Sequence, residues 1–258
     1  MPGRKWEGDY LFLLQNLVLK DFRIRYRNMS LGILWSLVNP LVMMGVLTFI
    51  FSRVFSDERS PSFPLFVLCG LVPYNFFKDA WLSGTNSIIE NSDLVKRVSV
   101  PREVVPVAAV LSNCIHLAIQ MGLLVGFTLY FRLMPGPSWL WLAPLWILYV
   151  VFVCGISLLS SAVNVFIRDT RYVVESFTLM LFWLVPIFYS FTIIPERFVN
   201  IYRFNPVAAL VLATRNILID RQSPPMSLVL NMVIAAAVTL GTGLLVFRWL
   251  KPRFYEHI

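Results

Sequence analysis

The sequence predicts an all-α polytopic membrane protein. It has six transmembrane helices, an amphipathic interface helix before the first, and a re-entrant or interfacial hairpin between the fifth and sixth. Three observations carry this. Of 258 residues, 58% are hydrophobic and the mean hydropathy is +0.72, far more apolar than an ordinary soluble domain. The apolar residues fall into runs, most of them long enough to cross a hydrocarbon layer as helices, which takes about 20 residues each. The cations gather at the ends of these runs, as they do around membrane spans. Residues 1–258 read as a single transmembrane domain, with an interface helix over 10–28 and spans over 31–53, 63–89, 104–131, 139–167, 172–194 and 225–247.

The interface helix follows from spacing. Leu11, Leu14, Val18, Phe22 and Tyr26 recur on one helical face while Asn16, Lys20, Arg23 and Arg27 fall opposite. Such a helix lies along the membrane surface, apolar stripe inward and cations toward lipid headgroups or a soluble partner. It passes without a linker into the charge-free run Asn28–Ser52, the first span. The amino terminus MPGRKWEGDY lacks the apolar core and cleavage site of a secretory signal, so the first span is expected to serve as the insertion signal.

After a polar segment with Asp57, Glu58 and Arg59, the second span carries Lys78 and Asp79 in its inner half. A charge at a helix centre costs roughly 2.5–3.5 kcal/mol on insertion scales, so both should face protein or water. Neighbours in sequence project about 100° apart, which predicts other partners rather than each other. The polar loop Glu90–Glu103, with Lys96, Arg97 and Arg102, follows, and Pro101 stops the short helix that Asp93 begins. The third span leads to the turn Arg132–Ser138; Trp139, Trp141 and Trp146 place the start of the fourth near an interface. The charged turn Arg168–Arg171 precedes the fifth span, where Pro186 predicts a kink. Phe204–Thr214 is charge-free but too short to cross and is interrupted by Pro206, which predicts a hairpin. The sixth span and a basic tail complete the chain.

An even number of spans puts both termini on one side. Fourteen of the 22 basic residues lie in the amino-terminal segment, the loops after spans two and four, and the tail, which places these in the cytoplasm. Arg197, Arg203, Arg215 and Arg221 run against the rule on the outer side, unless the hairpin shelters them. The net charge of +8 follows this topology rather than forming a continuous surface for nucleic acid. Cys69, Cys114 and Cys154 have neither metal-ligand nor redox spacing and read as packing residues. His116, inside a span without a nearby acid, reads as a buried hydrogen-bonded side chain. No phosphate loop or nucleophile elbow is present, so ATP hydrolysis is not expected of this chain. Asp79 alone among acids lies well inside a span, which argues against ion coupling.

The stretches RYRNMSLGILWSLVNPL, FPLFVLCGLVPYNFF, SIIENSDLVKRVSVPREVVPV, NVFIRDTRYV and PIFYSFTIIPERFVNIYRFNPV resemble, in the same order, those of ABC-2 family permeases that export polysaccharides. The likeness covers nearly the whole chain. It implies the plasma (inner) membrane, two copies of this chain and two copies of a separate ABC ATPase, with ATP and Mg on that partner and no cofactor bound here. The loop between spans two and three would insert into the ATPase as a coupling element. Asp93, Leu94, Lys96 and Arg97, with Arg168, Asp169 and Arg171 in the later turn, are the coupling candidates.

The resemblance also implies a glycan carried on polyprenyl diphosphate. Arg23, Arg25 and Arg27 stand where guanidinium groups can engage diphosphate oxygens, although positive-inside topology alone would place arginines there. Trp35, Tyr74, Phe76, Phe77, Trp81, Phe188 and Tyr189 are candidates to face sugar rings in a channel, although aromatic residues also pack helices. Two alternatives stay open: an ABC-2 exporter of a drug or small lipid, and an integral-membrane enzyme acting on polyprenyl-linked sugars. The enzyme would need an acid/base or metal constellation, for which Glu90, Asp93 and Glu103 are the clustered candidates.

Overall fold

The structure is a computed structural model that describes residues 9–27, 30, 32–54, 62–97 and 100–256. Among these residues every regular element is helical. The segment with Asp57, Glu58 and Arg59, Asn28 at the end of the expected interface helix, and the first eight residues lie outside the described residues.

Helix α1 (Tyr10–Tyr26) starts where the Asp9 carboxylate accepts hydrogen bonds from the backbone of Leu11 (2.8 Å) and Phe12, and ends with Arg23 and Arg25 at the negative end of its dipole. Gly32 then turns with φ +50, a conformation only glycine takes without a steric cost. Helix α2 (Trp35–Phe49) follows and continues through a wider π turn, Ile50–Val54. Helix α3 (Phe63–Glu90) is the central element, touching α2, α5, α6, α7 and α9. The short α4 (Ser92–Arg97) leads to α5 (Val104–Tyr130), α6 (Leu142–Phe166) and α7 (Thr170–Leu184). Helices α8 (Glu196–Phe204) and α9 (Pro206–Leu218) form a bent pair, and α10 (Met226–Leu250) ends in a 3-10 turn, Lys251–Glu256.

Among the described residues four stretches are long and apolar enough to cross a membrane: Gly32–Ser52, Val104–Tyr130, Pro137–Phe166 and Met226–Phe254. The expected second span forms one unbroken helix of 28 residues, less apolar because of Lys78, Asp79 and its amide and hydroxyl side chains. The expected fifth span, 172–194, is not continuous. Its helix stops at Leu184 because Val185 is extended (ψ 136), as a residue before proline prefers, so Pro186 ends the helix rather than kinking it.

The interhelical contacts follow from small residues. At the crossing of α6 and α10, a β-carbon on Gly243 would fall on the Gly155 carbonyl, and one on Gly155 would strike the backbone of Thr239 and Leu240. Backbones come this close only where side chains are absent. Between α3 and α6, Gly84 lies against Ser157. Beside it, Thr85 and Ser160 share a hydrogen bond (2.7 Å), and Asn164 donates to the Thr85 carbonyl (3.0 Å). A second apolar cluster sits at the end of the bundle where α4 lies, joining Leu17 of α1, Ile88 of α3, Val95 of α4, Val105 of α5, Val165 of α6 and Phe254 of the tail.

Candidate substrate path and docking face

A cavity of about 410 Å³ lies where α1 meets α3 and α5, lined among others by Lys20, Asp21, Arg25, Ser83, Glu90 and Asn91. Polar groups in and beside it tie α1 down. Lys20 donates to the Asn91 side chain (2.5 Å), Arg25 to Asn113 (2.6 Å) and Ser83 (3.0 Å), and the Tyr26 hydroxyl bonds the His116 ring (2.6 Å). His116 is thus the hydrogen-bonded core histidine its position suggested. Burial raises the Asp21 carboxyl above its ordinary range against the pull of Lys20 and Arg25. Burial and the nearby Asp21 raise Glu90 as well.

The three arginines of this region separate. Arg25 is half-buried and lines the cavity, whereas Arg23 and Arg27 are exposed on α1 and at its end. Only Arg25 therefore combines a guanidinium with an enclosed polar volume.

The aromatic candidates separate too. Phe76 and Phe77 are buried, their rings 6.0–6.4 Å from Tyr149 and Phe77 also stacked 6.1 Å from Phe152. Tyr74 is buried with its hydroxyl donating to the Thr178 carbonyl (2.7 Å), and Phe188 is buried against Phe51 (4.9 Å). These four rings lie in the core of the single chain. Trp35 is exposed, Trp81 is half-buried with its indole donating to Ser160 (3.1 Å), and Tyr189 is half-buried with its hydroxyl donating to the Leu184 carbonyl (2.9 Å).

Lys78 and Asp79 correct a second expectation. They do meet each other, Nζ to Oδ1 at 3.4 Å, because the four-carbon lysine stem bends around the helix to its neighbour.

At the end of the bundle where α4 lies, Asp93 and Lys96 are exposed while Leu94 is half-buried and Val95 is fully buried in the second apolar cluster; the Arg97 side chain lies outside what is described. Arg168, Asp169 and Arg171 are exposed in the next loop, with Arg171 paired to Glu175 (3.0 Å). The tail braces this face. Lys251 pairs with Glu103 (2.8 Å) and accepts through its carbonyl from Arg102 (2.7 Å), and Phe254 is completely buried with the Arg102 guanidinium 5.9 Å from its ring. Burial alone would raise Glu103, but the hydrogen bond from Lys251, its own backbone N–H and the charges of Lys251 and Arg248 hold it below the ordinary range. Glu103 is thereby engaged with the tail and Glu90 with the cavity. Among the described residues no three His, Cys, Asp or Glu side chains gather as a metal would need. Glu90, Asp93 and Glu103 thus stand in three different settings, Asp93 on the exposed side of α4.

At the other end, Arg215 of α9 is buried. Its guanidinium lies 3.4 Å over the Phe66 ring and donates to the carbonyls of Ile187 (2.7 Å) and Phe66 (3.3 Å). It fastens α9 to α3 and to the extended backbone after α7. Sequence reasoning found this arginine as an exception to charge topology but not its role; nor did it find the tail contacts, for which the only signal was the aromatic pair Phe254–Tyr255 within a basic segment.

The described chain is thus a bundle of long apolar helices with a charged face beside α4 braced by the tail and a bent helix pair, α8–α9, pinned by an arginine. The family model described as ABC-2 type transporter matches residues 13–219. Two proteins of Klebsiella pneumoniae, each named O-antigen export system permease protein RfbA, are 32% and 31% identical, each aligned over 98% of this chain and 97% of its own length. Polysialic acid transport protein KpsM of Escherichia coli is 23% identical over 91% of this chain and 92% of its own. The order of motifs, the helical architecture and the end-to-end alignments converge: this chain belongs to the ABC-2 type transporter family.

Proposed function

We propose that this permease is the membrane subunit of an ATP-driven exporter that moves a lipid-linked polysaccharide outward across the plasma (inner) membrane. The observation that carries the reading is the alignment, along almost the whole of both chains, with permeases named for O-antigen export. The inner face supports it: α4 offers Asp93 and Lys96 outward from a buried anchor, Val95, which suits a coupling element that must transmit force without detaching.

In this reading two copies of the chain assemble with two ATPase subunits, which carry ATP and Mg. Asp93, Leu94, Lys96 and Arg97, with Arg168, Asp169 and Arg171, meet the ATPase. Both termini are cytoplasmic. Helix α3, and α7 with the backbone following it, complete a set of six crossings, and α8–α9 form a re-entrant outer hairpin. Arg25 in its cavity engages the diphosphate, with Arg23 and Arg27 drawing it from the headgroup layer. Trp35, Trp81 and Tyr189 touch the sugar chain, while Tyr74, Phe76, Phe77 and Phe188 hold the wall behind them. The inner surface of α1 also contacts membrane lipid.

The test is made in the cell. Removing the gene should leave lipid-linked polymer on the cytoplasmic side and none at the surface, and restoring wild-type protein should reverse this. Normal surface polymer in the deletion strain, with no second permease compensating, would contradict the reading.

A further inference from the structure

The 3-10 turn Lys251–Glu256 folds back from the end of α10 against three other segments, and Phe254 is its plug. The ring is completely buried. Phe247 of α10 lies 5.3 Å from it, Phe166 at the end of α6 6.0 Å, and the Arg102 guanidinium 5.9 Å. The same apolar cluster holds Val95 of α4 and Val105 of α5. Phe254 therefore joins the two stretches that present exposed charges at this end of the bundle, α4 with Asp93 and Lys96, and the loop after Phe166 with Arg168 and Asp169.

Two polar ties hold the turn in place. Lys251 Nζ donates to both carboxylate oxygens of Glu103, at 2.8 and 2.9 Å, and Arg102 donates to the Lys251 carbonyl at 2.7 Å. Arg102 is buried, and the Lys251 and Glu103 side chains keep only 35% and 25% of their surface. Charge-assisted bonds sheltered in this way hold their geometry better than exposed pairs do. Arg102 and Glu103 stand between α4 and α5, so the ties grip the segment that follows α4. At the other side of the turn, α10 meets α6 at a crossing where a β-carbon on Gly243 would fall on the Gly155 carbonyl. From α4 to α6 the contacts are close-packed, and close-packed contacts pass a displacement on rather than absorbing it.

We infer that the turn Lys251–Glu256 is a permanent strut that makes α4, the start of α5, the end of α6 and α10 one rigid body, so that a displacement imposed on α4 carries α10 with it. That a partner ATPase imposes the displacement rests on the export reading above; the rigid body does not.

The test compares wild-type transporter, copurified with its ATPase and placed in vesicles, with Phe254→Ala and with the pair Glu103→Cys and Lys251→Cys. Cys69, Cys114 and Cys154 are replaced throughout. Polymer moved per ATP hydrolysed is expected to fall by about fivefold or more in Phe254→Ala and in the reduced cysteine pair, the low end of energetic coupling between distant sites. Hydrolysis itself should persist. Bridging the two cysteines with a short bifunctional methanethiosulfonate should restore the wild-type ratio, and the bridge should form in equal yield with and without ATP. Arg253→Ala, exposed on the same turn, should match wild type.

A bridged transporter that hydrolyses ATP while export stays low would overturn the strut, as would wild-type ratios in both Phe254→Ala and the reduced pair. Should Phe254→Ala fail to accumulate, the cysteine pair decides alone. A wild-type preparation with neither ATPase nor export would fail the export reading instead. Hydrogen exchange would then decide the rigid body: faster exchange in α4 and at the end of α6 on opening the Glu103–Lys251 tie is expected, and unchanged exchange would overturn it.

Discussion

Replacing Arg215 with alanine is expected to abolish export and to loosen the α8–α9 pair while leaving the other helices assembled. The guanidinium gives hydrogen bonds to two carbonyls on two different segments and covers an aromatic face, at a place with little access to water. Hydrogen bonds from a charged donor contribute about 1.5–3 kcal/mol each, and part of this is offset because the buried cation also loses its hydration. A net loss of about 2–3 kcal/mol in thermal-unfolding measurements on the purified protein is the expected result. Arg215→Lys should recover less than half of it, since an ammonium can neither fork between two carbonyls nor stack on Phe66. Wild-type stability in Arg215→Ala would show that the pin has no structural role.

An equally large effect is expected at the α6–α10 crossing. Gly243→Val puts two methyl groups where the Gly155 carbonyl lies, and neither backbone can yield without parting the two helices. The cost should be about 3 kcal/mol or more. The protein should fail to accumulate or should unfold at a markedly lower temperature. Gly241→Val on the same helix provides the control, because a β-carbon there meets nothing within 4 Å. Equal behaviour of the two variants would contradict the close crossing.

Much of this was legible in the chain. Runs of apolar residues are set by the bilayer rather than by tertiary partners, so the positions of α2, α5, α6 and α10 could be read directly. Helix α1 declared itself through Leu14, Val18 and Phe22 against Lys20 and Arg23, and the structure docks it on α5, where Phe22 and Tyr26 meet His116. Pro206 and the short apolar run around it pointed to something other than an ordinary span.

What resisted was orientation within a helix. Nearly every residue of α3 from Phe63 to Phe77 is apolar or aromatic, so no periodicity showed that Phe76 and Phe77 pack against Tyr149. The polar residues from Lys78 to Glu90 did not decide orientation either, since amides and serines also zip helices together, as Thr85, Ser160 and Asn164 do. Phe254 and the Lys251–Glu103 pair depended on a contact across 148 positions, which local sequence does not show. The break at Val185 was half legible: proline marked the place, but whether the helix bends or ends depends on what receives the freed backbone, here the Arg215 guanidinium at the Ile187 carbonyl.

The central claim is that this permease moves a glycan with energy supplied by another chain. The most direct measurement isolates the tagged protein in mild detergent with whatever copurifies and places it in vesicles, then follows protection of lipid-linked polymer from an added glycosidase. The account predicts a stoichiometric ATPase in the preparation and protection that requires ATP and Mg. A stable permease that carries no ATPase, with polymer crossing at the same rate whether or not ATP is present, would contradict it.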